Sequence, residues 1–312
     1  MHDKLIYYGK LPAFGDFVRY NASGPEIKLF DQWIQEALYF NRKRLHPEIE
    51  KAFEISPAYC FFLSFKDSEN YLTGLMKPSR DKVGRRYPFI VAKLINDSDI
   101  YPDPEIFLPV QFKTFYKYTY SFIEKLNTVK TPDELRQQTI RFAPEISHDE
   151  EAYRQYHSIL QTTSTKEFFP KLWNADAGNK KHIFLKNVVS MGEYLRERDP
   201  GIIDFGFRFP LQSESYDAFI VGSYWLQLLG LFINNRTVFP FIFWDTTNMF
   251  LFLRQPPPVV YSCMIKTDLR SDVVYIMDSD GEQGYNEQNI SPQIFNMLNT
   301  DTITLDRFLQ MV

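Results

Sequence analysis

Apolar positions recur along the chain in two rhythms. Leu29, Phe30, Trp33, Ile34, Ala37 and Leu38 return at intervals of three and four, which predicts an amphipathic helix with one stripe facing a core. Leu5 to Tyr8, Tyr59 to Phe65, Tyr71 to Met76 and Tyr87 to Leu94 are short runs of aromatic and branched residues, the composition of strands. The polar stretch Lys66 to Asn70 joins two of them as a hairpin. Beyond a proline-rich break at Tyr101 to Pro109, the spacing of Phe112, Phe115, Tyr116, Thr119, Phe122, Ile123 and Leu126 predicts a second core-facing helix.

From about 127 to 200 the pattern is charged and helical. Thr131-Pro-Asp-Glu134 and Ser147-His-Asp-Glu150 each set a hydroxyl three residues before a carboxylate, the arrangement that caps helix N-termini. Ser215 is the expected cap of a helix to about Ile233, whose apolar residues nearly encircle it and predict its burial. Phe239 to Trp244, the turn Asp245 to Asn248, and Met249 to Arg254 read as a second hairpin, ended by the prolines from Pro256. Its order echoes Tyr59 to Pro78 with little residue identity. Ser291-Pro292 and Thr304 predict two short terminal helices.

Composition narrows the class. At 312 residues, with 17% aromatic and 24% charged side chains, the chain has ample material for a packed α/β core. A net charge of -4 gives no general attraction to nucleic acid or anionic lipid, so neither is an expected partner. Leu5 to Tyr8 is far too short for a signal-peptide core, and no apolar run reaches membrane-spanning length. Cys60 and Cys263, each in an apolar run, are expected to be buried reduced thiols.

The common chemical signatures are missing: no phosphate loop, dinucleotide turn, nucleophile elbow or zinc-protease motif occurs. His148 and His157 flank an acidic stretch that reads as a helix start, and Asp278-Ser-Asp280-Gly281-Glu282 fails the register of a calcium loop because its glycine comes fourth and Asn289 twelfth. No cofactor or metal is expected.

Two segments stand out. In Tyr8-Gly-Lys-Leu-Pro-Ala-Phe-Gly-Asp-Phe-Val18, Gly9 and Gly15 permit close approaches, Pro12 stiffens the loop, and Asp16 is expected to bond backbone amides locally. In Lys77-Pro-Ser-Arg-Asp-Lys-Val-Gly-Arg-Arg-Tyr-Pro88, five basic residues surround Asp81. Two readings stay open for it: a solvated loop in which Asp81 pairs Arg80 or Arg85, or a docking surface of arginine forks.

YYGKLPAFGDFV followed by GLMKPSRDKVGRRYPFIVAKL resembles the TagF family of type VI secretion-associated proteins over about the first 95 residues, with a weaker echo in FPFIFWDTTNMFLFLRQPPP. The resemblance implies a layered α/β/α sandwich with a mixed sheet and additional helices. It also implies a bacterial cytoplasmic protein that restrains the secretion apparatus after translation by binding its forkhead-associated scaffold protein. The family motif falls on Gly9, Lys10, Leu11, Pro12, Gly15, Asp16 and Phe17, then on Pro78, Ser79, Asp81, Val83, Gly84, Arg85 and Pro88, with no catalytic role attached.

Lys10, Arg80, Arg85 and Arg86 are the expected source of positive charge, on two loops that meet at one end of the sheet. Residues 1–270 are expected to form the TagF-like domain with a charged helical insertion around 127–235, and 271–312 a C-terminal extension. Two rival readings are a hydrolase assembled from Asp16, Asp81, Ser79 and a histidine, and a structural subunit of the secretion baseplate.

Overall fold

The computed structural model describes residues 5–44, 48–66, 68–96, 109–142, 149–173, 177–196, 198, 202–231, 241–279 and 303–311. Nine strands form one sheet: β1 (Ile6–Gly9), β2 (Val18–Tyr20), β3 (Tyr59–Ser64), β4 (Tyr71–Lys77), β5 (Phe89–Ile95), β6 (Gly206–Pro210), β7 (Phe241–Trp244), β8 (Asn248–Phe252) and β9 (Val274–Ile276). Their order is β2-β1-β5-β4-β3-β7-β8-β6-β9. Every pairing is antiparallel except β6 with β9, so the sheet is mixed, as expected. The two hairpins lie side by side through β3 and β7, with Cys60 opposite Trp244, but β5 follows its hairpin in the chain whereas β6 precedes its own.

The strands are apolar on alternate and intervening positions alike because helices cover both faces of the sheet. Phe61, Leu63, Met76, Phe243 and Phe250 point to one core, shared with α1 (Pro25–Arg44), α2 (Glu48–Ile55) and α10 (Val259–Ile265). Cys60, Phe62, Leu75, Trp244 and Leu251 point to the other. The larger cover on that side comprises α3 (Lys113–Thr128), α4 (Pro132–Arg141), α5 (Glu150–Thr162), α6 (Thr165–Phe168), α7 (Pro170–Trp173), α8 (Ala177–Arg196), α9 (Ala218–Gly230) and α11 (Leu305–Met311). This is the α/β/α sandwich the resemblance implies. The two cysteines fall in different cores, both as free buried thiols.

Several predicted details shift. The buried stripe of α1 runs through Ile27, Phe30, Trp33, Ile34 and Ala37, while Leu29, one step round the helix, is 40% exposed. Trp33 donates its indole N–H to the Pro256 carbonyl at 2.7 Å, which pins the prolines that end the second hairpin. Thr131 caps α4 as predicted, accepting from the Glu134 amide at 3.2 Å while Glu134 accepts from the Lys130 amide. For α5 the cap is Asp149, whose carboxylate accepts from the Ala152 amide at 2.9 Å; Ser147 and His148 lie outside the described residues.

For α9 the cap is Asp217, not Ser215. Asp217 bonds the Phe219 amide and pairs with Lys113, a double role a serine hydroxyl two residues earlier cannot fill. That helix ends at Gly230 and is buried almost all round, as its composition predicts. Thr304 begins α11 by accepting from the Arg307 amide. Tyr101 to Leu108, Val238 to Pro240, Asp280 to Asn289, Ser291-Pro292, His2 and His46 lie outside the described residues. Among the described residues, no helix is long and apolar enough to cross a membrane.

Phe61 is fully buried at the middle of β3 and lies 4.9 Å from the Phe30 ring, where it joins sheet to helix. Replacing it with alanine leaves a cavity that a close-packed layer cannot collapse, so Phe61→Ala is expected to cost about 3–5 kcal/mol in urea unfolding.

Candidate functional site

The two motif loops meet at one end of the sheet, where β1 and β4 finish and β5 begins. Gly9 adopts φ +137°, and a Cβ there would sit 2.2 Å from the Pro88 carbonyl oxygen, so only glycine lets the first loop lie against the start of β5. The second loop is a laddered extension of the β4–β5 hairpin. The Tyr87 amide donates to the Ser79 carbonyl, Arg80 bridges to Arg86, and the Asp81 amide donates to the Arg85 carbonyl. Its tip is Lys82, Val83 and Gly84. The Lys82 amide donates to the Phe14 carbonyl at 2.8 Å and ties the tip to the first loop.

Asp81 is the hub. It is 2% exposed and carries bonds on both carboxylate oxygens. Oδ1 accepts from the Val83 amide at 3.1 Å and the Arg85 amide at 2.8 Å, and Oδ2 accepts from Lys10 Nζ at 2.9 Å and Arg85 Nε at 2.7 Å. Burial alone would raise its pKa. The Lys10 ammonium, the Arg85 amide and the Arg85 guanidinium outweigh that and hold the carboxyl well below the ordinary carboxylate range.

The expected pairing of Asp81 with Arg85 is present, with the carboxylate buried and the Arg85 side chain 57% exposed. Lys10 is also buried, and its ammonium lies 5.2 Å from the Phe17 ring centroid. Arg85 reaches on to donate to the Gly15 carbonyl at 2.6 Å, so its guanidinium clasps both loops.

Aromatic packing stiffens the same end. Phe17 stacks on Tyr8 at 5.1 Å and meets Tyr87 edge-on at 4.9 Å, while the exposed Arg19 covers Tyr8 and Phe17 from outside. Tyr87 donates to Asp31 of α1. Burial and the Asp31 carboxylate push the Tyr8 hydroxyl up to about 12 and raise Tyr87 further, so both rings stay neutral.

The remaining motif residues divide by position. Leu11 is buried and Pro88 is buried behind Gly9. Asp16 is exposed and accepts from the Phe17 amide at 2.8 Å, the local turn bond expected of it. Arg86 pairs with Glu50 and Glu54 of α2, each at 3.0 Å. Its guanidinium, like the more exposed one of Arg85, is thus held by partners within the chain.

Pro12, Arg80, Lys82 and Val83 are exposed, Val83 to 71%, and no described residue pairs with the Arg80 or Lys82 side chain. Pro12, Pro78, Ser79 and Arg80 border a groove of about 440 Å³ that reaches Phe53 on one side and Asn127 of α3 on the other. Ser79 Oγ is buried with no hydrogen-bond partner among the described residues. Asp81, the carboxylate a hydrolase reading needs, has both oxygens committed to structural donors.

Lys82, Tyr87 and Arg19 were not singled out from the sequence. The basic count around Asp81 flagged their neighbourhood, but only the hairpin ladder separates the outward cations from the clasping ones.

Residues 6–141 match the model of the TagF N-terminal domain, Type VI secretion system-associated. Over that stretch the chain is similar to the TagF N-terminal domain. No curated protein matches it. Among solved structures it is similar to the crystal structure of PA0076 from Pseudomonas aeruginosa PAO1, at 15% identity over 86% of this chain and 96% of that one, with a TM-score of 0.41. The TagF domain match covers both motif loops, α1 to α4 and the first five strands, so the Asp81 hub lies wholly inside it.

The hub generates a pH-dependent prediction. A carboxyl whose folded pKa is depressed contributes stability that is fully present above its unfolded value and is lost as pH falls below about 4. Asp81→Asn strands the Lys10 ammonium in a buried site, so its urea midpoint is expected well below that of the parent at neutral pH. The gap should narrow as both proteins are acidified.

Proposed function

We propose that this chain is a non-catalytic, post-translational repressor of type VI secretion that acts in the bacterial cytoplasm by binding another protein. The forkhead-associated scaffold of the apparatus is the partner the TagF resemblance suggests. The single observation that carries the reading is the fixed rim: two loops locked through Asp81, with Pro12, Arg80, Lys82 and Val83 turned outward. A rigid rim loses little entropy on docking, and an outward arginine beside apolar residues is the composition of an interface anchor.

The division between clasping and outward cations changes the choice of test. Arg85→Ala with Arg86→Ala, two of the four cations expected from the sequence to supply positive charge, would loosen the rim itself. Arg80→Glu with Lys82→Glu reverses the outward charge and leaves every bond of the hub in place.

That pair is expected to keep the parent's unfolding midpoint while weakening co-purification of the scaffold at least about tenfold, the scale of a lost interface anchor. It should also relieve the block on sheath-tube secretion produced by overexpressing the parent chain. Unchanged capture and unchanged repression would move the partner surface away from these loops.

A further inference from the structure

Beside the rim, on the larger core's side of the sheet, lies a second concavity of about 690 Å³. It opens between α3 and the start of α9, and Tyr116, Tyr120, Phe219 and Trp244 stand in its walls beside aliphatic and polar residues. Tyr116 meets Trp244 edge-on at 4.8 Å and lies roughly parallel to Phe219 at 6.0 Å, which makes a rigid apolar corner. The volume is that of a site for a bulky organic group and not for a few waters.

The polar groups around this corner are unevenly satisfied. Asp217 is bonded to the Phe219 amide and Lys113, and Asp245 accepts from the Thr247 amide, the Thr247 hydroxyl and the Asn248 amide. Both carboxylates on the wall therefore already hold donors, Asp245 through Oδ1. Two donors are not engaged. Trp244 is 1% exposed and its indole N–H has no acceptor among the described residues. Lys117 is exposed at the mouth and pairs with no described residue. An occupant that complements this set brings an apolar body and negative charge.

Helix α3 runs from this pocket to the motif rim. Tyr120 stands at the pocket, with Lys77 Nζ 5.7 Å from its ring centroid, and Asn127 on the same helix borders the groove under Arg80. From Lys117 to Asn127 the helix rises about 15 Å, the length of four or five extended residues. The one carboxylate between Tyr120 and Asn127 on this face, Glu124, is paired with Lys77, which leaves Lys117 at one end and Arg80 and Lys82 at the other as the cations along the path with no described partner.

We propose that the aromatic pocket takes a bulky apolar side chain from an extended acidic segment of the protein partner, and that the segment's acidic residues run along α3 towards Arg80 and Lys82. This rests on the reading that this end of the molecule docks a protein, and it adds where the anchor sits and what the partner's contacting segment looks like.

The test uses the full chain and a fluorescein-labelled, capped peptide of one phenylalanine leading a short run of aspartates, followed by anisotropy. Saturable binding is expected, lost when alanine replaces the phenylalanine or lysines replace the aspartates. Ser121→Trp, on the exposed side of α3, fills the pocket without touching a core. It should weaken binding at least about tenfold, and Lys117→Glu should weaken it severalfold.

Thermal unfolding of both variants checks that the fold is kept. Failure to saturate at millimolar peptide, equal affinity for the alanine peptide, or an unchanged affinity in Ser121→Trp would overturn the proposal. Because the titration contains no secretion component, such a failure leaves the scaffold-capture result for the Arg80 and Lys82 pair standing by itself.

Discussion

A single buried carboxylate organises the end of this molecule where the two motif loops meet. Asp81 lies far from Lys10 in sequence, yet both are withdrawn from water and bonded to each other. Burying two charges carries a desolvation cost that one contact does not recover, and here it is offset by four donors converging on one acid group. Since two of those donors are backbone amides of the loop itself, the carboxylate sets loop shape as well as charge balance. Each other feature of the rim, from the Arg85 clasp on Gly15 to the outward aim of Arg80, presupposes that bond set.

The covered sheet explains why the proposed docking features lie at an end. With helices on both faces, neither flat surface of the sheet is free for a partner, and strand termini become the places where backbone and side chains reach solvent together. At this end the first loop, the β4–β5 hairpin tip and the Asp245 turn come side by side, since β1, β5, β4, β3, β7 and β8 are neighbours. The aromatic pocket and the motif rim are thus consequences of one topology. The TagF match covers the rim, whereas Phe219 and Trp244 of the pocket lie beyond its last matched residue.

Periodicity made the layers legible, because burial on two faces leaves long apolar strands and a stripe such as Phe30, Trp33, Ile34 and Ala37 needs a core to face. Caps were harder to assign: Asp149 and Asp217 displaced nearby serines, since a carboxylate that also meets a lysine or an adjacent hydroxyl holds a helix start better than a lone hydroxyl. Composition flagged the basic loop around Asp81 but could not rank its cations. Whether an arginine clasps or presents is decided by ladder pairing and by α2, which brings Glu50 and Glu54 to Arg86 from a distant segment. The pocket left only a faint trace, Tyr116 and Tyr120 one helical turn apart, because its other walls come from separate segments around Cys60, Phe219 and Trp244.

The Lys10–Asp81 bond also has a consequence for timing. In the folded chain its two ends are held in register by the pairing of β1 with β5 and of β5 with β4, so the rim depends on those strands being assembled. No short linear stretch reproduces it. A protein that recognises this surface therefore distinguishes finished molecules from unfinished ones, and proteolytic or thermal opening of the β1–β5 seam would erase the recognition feature before the rest of the sheet comes apart.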